Sequence, residues 1–199
     1  KRPEEWKSIF RDVTYNSVRF MQLMQQRKKY IATHPDKLRI AQKIIEKRPN
    51  SKIITFSSSV AIAESFGNGY VYTGKEGKKK NRMSLDEFAT QPTGILHSCQ
   101  LLNEGVSIPS VDVGIMLALN SSKTKAAQTL GRCLRLNGDT KHAEFFNLVL
   151  NHTVECEWLR KSRNDSNYVV IDEENLEKVL DYQPYSQYQY RLPSYLFRY

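Results

Sequence analysis

Gln128, Arg132 and Arg135 sit in the run Gln128-Thr129-Leu130-Gly131-Arg132-Cys133-Leu134-Arg135. If this run is helical, they fall at i, i+4 and i+7, on one face. Such a face carries two guanidinium forks, always charged and shaped to grip phosphate oxygens bidentately. A helix with two solvated arginines satisfies the same eight residues. The surroundings of the stretch have to decide between the two.

The elements that would position it alternate in type. Residues 1–31 read as one long helix, with Pro3 in its first turn and Trp6, Ile9, Phe10, Val13, Phe20, Met21, Met24 and Ile31 near helical spacing. These are expected to be packing residues, docked on this domain or on another. Thr33-His34-Pro35-Asp36 breaks that helix and opens the next, whose apolar stripe is Leu38, Ala41, Ile44 and Ile45. Residues 52–56 form a short, nearly continuous apolar strand of the buried parallel type. A helix through Val60 and Phe66 follows, then a strand over 70–73 and a polar, basic loop over 74–82. Ser84-x-x-Glu87 reads as a capping box opening a helix to Thr90. Further strands are expected over 94–97, 111–119 and 144–150. A helix follows at 154–162, then a weaker strand over 168–171 and a last helix over 173–180. This alternation implies a doubly wound parallel α/β sheet flanked by helices.

Ligands of such sheets gather outside the carboxyl ends of the strands. The residues after the strands are Ser57-Ser58-Ser59, Thr73-Gly74-Lys75, Ser98-Cys99 and Asn120-Ser121-Ser122. Hydroxyls and exposed N–H groups before helix starts are phosphate ligands. Each serine taken singly is equally a helix cap. Three serine-bearing ends beside a basic loop favour a phosphate-bearing edge.

Charge points the same way. The net charge is +9, and residues 1–50 carry 13 basic against 5 acidic side chains, a net of +8. A basic end fits a polyanion partner, most simply nucleic acid, although a solvated helix face has the same composition. The three cysteines have no metal spacing with the four histidines and read as reduced thiols of an intracellular protein. Apolar runs are far shorter than a membrane span. The chain opens Lys-Arg-Pro, with no signal peptide, and reads as a fragment or processed product.

No G-x-x-x-x-G-K-[ST] loop, no G-x-G-x-x-G after a strand, no G-x-S-x-G elbow and no acid–base carboxylate pair is present. His97, ending an apolar strand, reads as structural. Arginines without a phosphate loop of their own fit a role in trans, on a nucleotide held elsewhere.

In this order the motifs resemble the C-terminal RecA-like lobe of superfamily-two helicases, the DEAD/DEAH-type nucleic-acid motors, over about residues 36–153. Ile53-Ile54-Thr55-Phe56-Ser57 resembles the fourth motif of that family. Ser98 followed by Asn103-Glu104-Gly105-Val106-Ser107-Ile108-Pro109 resembles the fifth, and Gln128-x-x-Gly131-Arg132-x-x-Arg135 the sixth. Val154-Glu155-x-Glu157-Trp158 resembles the T-x-E-E stretch that follows. The E-G form and the glutamine resemble repair- or phage-type DNA motors.

The resemblance implies ATP and Mg2+ held mainly by a first RecA-like lobe. Arg132 and Arg135 would be arginine fingers and Gln128 would orient the nucleotide. Glu104, Gly105, Ser107 and Gly131 would lie beside ATP, and Ser57, Ser58, Gly74, Lys75 and Ser98 would hold nucleic-acid phosphates. Ser107 departs from the usual aspartate. The implied domains are a basic helix over 1–34, the lobe over 35–153, an extension over 154–182 and a tyrosine-rich tail over 183–199. The implied partners are nucleic acid, DNA before RNA, and the first lobe. Two other classes remain: a non-enzymatic nucleic-acid-binding module of the same fold, and an unrelated enzyme of flavodoxin-like shape. The arginines three apart set the motor lobe apart from the first of these, and the sequence holds no catalytic constellation for the second.

Overall fold

A computed structural model describes residues 3–99, 111–119, 143–162 and 170–181. The long basic helix is α1, Pro3–Ala32, and α2 is Pro35–Glu46. Between them His34 caps α2, its Nδ1 accepting from the Asp36 N–H at 3.3 Å, with Pro35 in the first turn. The remaining elements are β1 Lys52–Ser57, α3 Val60–Ser65, β2 Tyr70–Tyr72, α4 Lys78–Thr90, β3 Gly94–Cys99, β4 Val113–Met116, β5 Glu144–Asn147, α5 Val154–Ser162 and α6 Glu173–Asp181.

Every strand pairs in parallel, in the order β2-β3-β1-β4-β5. All six residues of β1 are buried, as both faces of a doubly covered sheet require. Alternate residues feed two cores. Ile54, Phe56, Leu96 and Met116 meet Leu85 and Phe88 of α4 on one face. Ile53, Val113 and Ile115 meet Ala41 and Ile44 of α2 and Leu176 and Leu180 of α6 on the other. Two glycines are fixed by crowding. A Cβ on Gly69, at φ +80°, would stand 2.6 Å from the Ile95 carbonyl oxygen, and one on Gly114 would stand 2.5 Å from the Phe145 ring.

Four local expectations are corrected. The basic loop is shorter than 74–82, because α4 starts at Lys78 and holds Lys78, Lys79, Lys80 and Arg82. Ser84 therefore lies inside a helix and caps nothing. The Asn81 side chain does the anchoring instead. Its Oδ1 accepts from the Thr73 N–H at 3.2 Å, and its Nδ2 donates to the Thr73 carbonyl at 2.7 Å and the Glu76 carbonyl at 3.3 Å. β3 runs on to Cys99, so Ser98 belongs to the strand rather than to the loop after it. Of the strand expected over 168–171, residues 170 and 171 are not in a strand, and 168 and 169 lie outside the described residues. The apolar residues of α1 are mostly exposed, with Phe10 at 75% and Phe20 at 61%; Ile31 alone on that stripe is buried.

The amino edge of the sheet is pinned by charge. Arg48 donates to Glu144 through Nε at 2.7 Å and Nη2 at 2.9 Å, and through Nη1 to the Leu180 carbonyl at 2.6 Å. Lys52 Nζ donates to the Ala89 and Gln91 carbonyls at 2.8 and 2.9 Å and so closes the end of α4. No described helix is long and apolar enough to cross a membrane.

Candidate nucleotide and nucleic-acid edge

Strand register brings the carboxyl ends level: Ser57 pairs with Cys99, Tyr72 with Ser98, Phe56 with Met116, and Met116 with Asn147. The segments after the strands therefore leave along one edge, where α3, α4 and α5 begin. The described chain breaks off at Cys99 and Leu119, both at this edge, and resumes at residues 111 and 143, both at the opposite one.

Of the residues expected to hold phosphates, Ser58, Gly74 and Lys75 are exposed here. Lys75 Nζ lies 3.6 Å from Glu64 of α3, a surface pair that water screens. No described atom comes within 4 Å of where a Gly74 Cβ would be, so its small size serves nothing within the described chain. Ser57 and Ser98 are buried. Ser57 Oγ donates toward the Ser59 carbonyl at 3.0 Å, with the Ser98 carbonyl at 3.4 Å, and so shapes the turn that presents Ser58. Thr73 Oγ1 is buried without a hydrogen-bond partner among the described residues, beside Gly74. Lys78, Lys79 and Lys80 stand exposed at the start of α4, where its unpaired N–H groups add positive potential. This edge can hold anions. Gln128, Arg132, Arg135, Glu104, Gly105, Ser107 and Gly131 lie outside the described residues.

Sequence reasoning passed over Lys37. Its Nζ lies 2.6 and 2.7 Å from the two carboxylate oxygens of Glu155 and donates to the Leu117 carbonyl at 2.8 Å. Glu155 also accepts from the Leu150 N–H at 3.0 Å. Both side chains are buried. Burial pushes the Lys37 pKa down, against the carboxylate that holds its proton in place. One ion pair thus joins the start of α2, the exits of β4 and β5, and the start of α5. Thr153 completes the corner, accepting from the Glu155 N–H at 3.3 Å and donating to the Leu150 carbonyl at 2.7 Å. Nothing in the spacing of 118 residues marks these two as partners.

His97 stays inside the sheet. Its Nδ1 shares a 2.9 Å hydrogen bond with Thr55 Oγ1, its ring stacks on Phe66 at 4.2 Å, and Nε2 makes no hydrogen bond of normal geometry, although the Asn68 backbone faces it. Burial lowers its pKa to about 4. That is a structural histidine, as its sequence position implies.

No group of three or more His, Cys, Asp or Glu that could hold a metal occurs among the described residues.

A parallel sheet of this order, whose strands all end at one carboxyl edge, is a RecA-like lobe. Residues 36–137 match the model of the helicase conserved C-terminal domain, and the chain belongs to that family, the second lobe of superfamily-two helicases, which are ATPases. No curated protein matches it. Among solved structures, the chain is similar to the C-terminal domain of a DEAD-box protein, Dbp5, with 15% identity and a TM-score of 0.61, covering 75% of this chain and 92% of that one. It is also similar to an S. cerevisiae Dbp5 C-terminal domain bound to Gle1 and IP6, at 16% identity and a TM-score of 0.57, covering 73% and 90%. A third is the C-terminal part of the Fun30 ATPase domain, at 14% and 0.52, covering 73% and 52%. At such identities the likeness is one of fold.

Proposed function

We propose that this chain is the arginine-bearing half of an ATP-driven motor on nucleic acid. A first RecA-like lobe holds ATP and Mg2+. Arg132 and Arg135 reach the γ-phosphate from this lobe, Gln128 helps orient the nucleotide, and Glu104, Gly105, Ser107 and Gly131 line its side of the cleft. Ser58, Gly74 and Lys75 touch the phosphates of the tracked strand, with Ser57 and Ser98 buried beneath them at the strand ends. The observation that supports this is the common edge: the chain leaves toward both arginine- and glycine-bearing segments from the same carboxyl ends that present Ser58 and Lys75.

Backbone grip without base readout makes binding largely indifferent to sequence. The substrate we favour is DNA, on the Glu104-Gly105 form and the glutamine of the sixth motif; comparing stimulation by single-stranded DNA, duplex, branched DNA and RNA decides it.

The test is hydrolysis. This chain alone should turn over no ATP. Combined with the first lobe, it should show nucleic-acid-stimulated turnover that Arg135→Ala lowers by on the order of 10³ while ATP binding persists. Turnover by the chain alone, or full turnover in the Arg135 variant, would remove the assignment.

A further inference from the structure

The family match starts at residue 36 and leaves α1 outside it. At 1.5 Å per residue, this 30-residue helix is roughly 45 Å long. Ile9, Phe10, Val13, Phe20, Met24 and Ile31 fall within a stripe about 100° wide, with Met21 and Leu23 at its margins. At the α2 end the stripe is already interior, because Ile31 is buried; farther out Ile9, Phe10, Val13, Phe20, Met21 and Leu23 are exposed. Together they expose on the order of 600 Å² of apolar surface, as much as the largest patch of a typical monomer. The stripe is therefore the outward continuation of a face that is partly packed.

Its width indicates what covers it. With Phe10, Ser17, Met24 and Ile31 at heptad position a, position d holds Val13, Phe20 and Arg27, and position g holds Ile9, Asn16, Leu23 and Tyr30. A two-stranded coiled coil needs only an a/d seam, whereas a face widened through g suits a helix laid on a folded body. Two copies would also fit badly. In parallel, Arg27 meets its own copy; antiparallel, Phe10 meets Arg27 and Lys7 lies beside Lys28. The junction with the lobe is firm, since Thr33 donates to the Lys29 carbonyl through both N and Oγ1, and Tyr30 packs edge-on to His34 at 5.5 Å.

We propose that the apolar face of α1 docks on the first motor lobe, in an apolar groove whose rim is acidic where Lys7 and Lys28 border the stripe. This rests on the reading that such a lobe holds the ATP. α1 then acts as a strut that ties the orientation of one lobe to α2 of the other.

Hydrogen–deuterium exchange tests it, read over residues 9–24 of this chain alone and mixed with the first-lobe polypeptide, with molecular mass measured in parallel. Expected are fast exchange and a monomer mass for the chain alone, and a slowing of about 100-fold on adding the first lobe. Phe20→Asp should abolish the slowing without changing the thermal unfolding of the lobe, and Phe20→Ala should weaken it. Three results overturn the proposal: no slowing with the first lobe, slow exchange in the chain alone at a dimer mass, or slow exchange alone that is lost when residues 183–199 are deleted. Arg135→Ala separates this from the ATP reading, because it should abolish turnover and leave the slowing intact.

Discussion

Lys37 and Glu155 show how a buried charge pair couples loops that share no sequence neighbourhood. Removing one partner leaves the other charged in an apolar corner. Lys37→Met or Glu155→Leu alone should each cost about 3–5 kcal/mol in urea unfolding, and the double substitution considerably less than the sum. His97 makes a prediction in pH. The unfolded side chain takes its proton near pH 6.5, and the folded one only near pH 4. Above pH 6.5 neither state is charged, so the histidine costs nothing; as pH falls from 6.5 toward 4 the unfolded chain gains a proton that the folded one refuses. Stability should fall by about 3 kcal/mol across that window, and His97→Gln should flatten the fall in unfolding midpoints measured at several pH values.

α6 runs parallel to α2, tied by three ion pairs, Arg39–Glu173, Lys43–Glu177 and Lys47–Asp181, each 134 residues apart. All are exposed, so water screens them, whereas Leu176 and Leu180 are buried against Ile44. The leucines should dominate. Leu180→Ala should cost about 2–5 kcal/mol, while Glu177→Gln or 1 M salt should barely move the melting curve. The inner strands were legible because both their faces are covered, which leaves apolar runs such as Ile53–Phe56. The start of α4 was not, because three lysines at a positive helix end read locally as loop. Asn81 and the buried Leu85 and Phe88 override that preference, and only the folded chain shows them. Likewise, spacing identified the apolar stripe of α1 but not whether anything covers it. Hydroxyls at strand ends were visible in sequence; that Ser57 is buried, its Oγ bonded to the Ser59 carbonyl at 3.0 Å, while Ser58 is exposed, is seen only in the folded chain.

At the scale of the molecule, the two edges of the sheet do different work. The amino edge carries Arg48–Glu144 and the Lys52 cap, and the carboxyl edge carries Ser58, Lys75 and the three lysines of α4. Nucleic acid held at such an edge releases counterions, so affinity should fall steeply between 50 and 200 mM salt, as roughly 0.7 to 0.9 powers of salt per phosphate contact. Lys75→Ala together with Lys79→Ala should reduce the slope by about 1.5 when binding to single strands is titrated. The Lys37–Glu155 pair is the exception to this division, a structural clamp on the working edge. α2 begins there, so α1 also joins the lobe at that edge. A pull between α1 and a held strand would then enter and leave on the same side. The tension would pass through one buried ion pair to Leu117, whose N–H donates to the Phe56 carbonyl at 2.9 Å, and reach Ser58 and Lys75 across the carboxyl end of the parallel ladder. Under load, the corner around Lys37 should yield first, while the sheet behind it keeps its register.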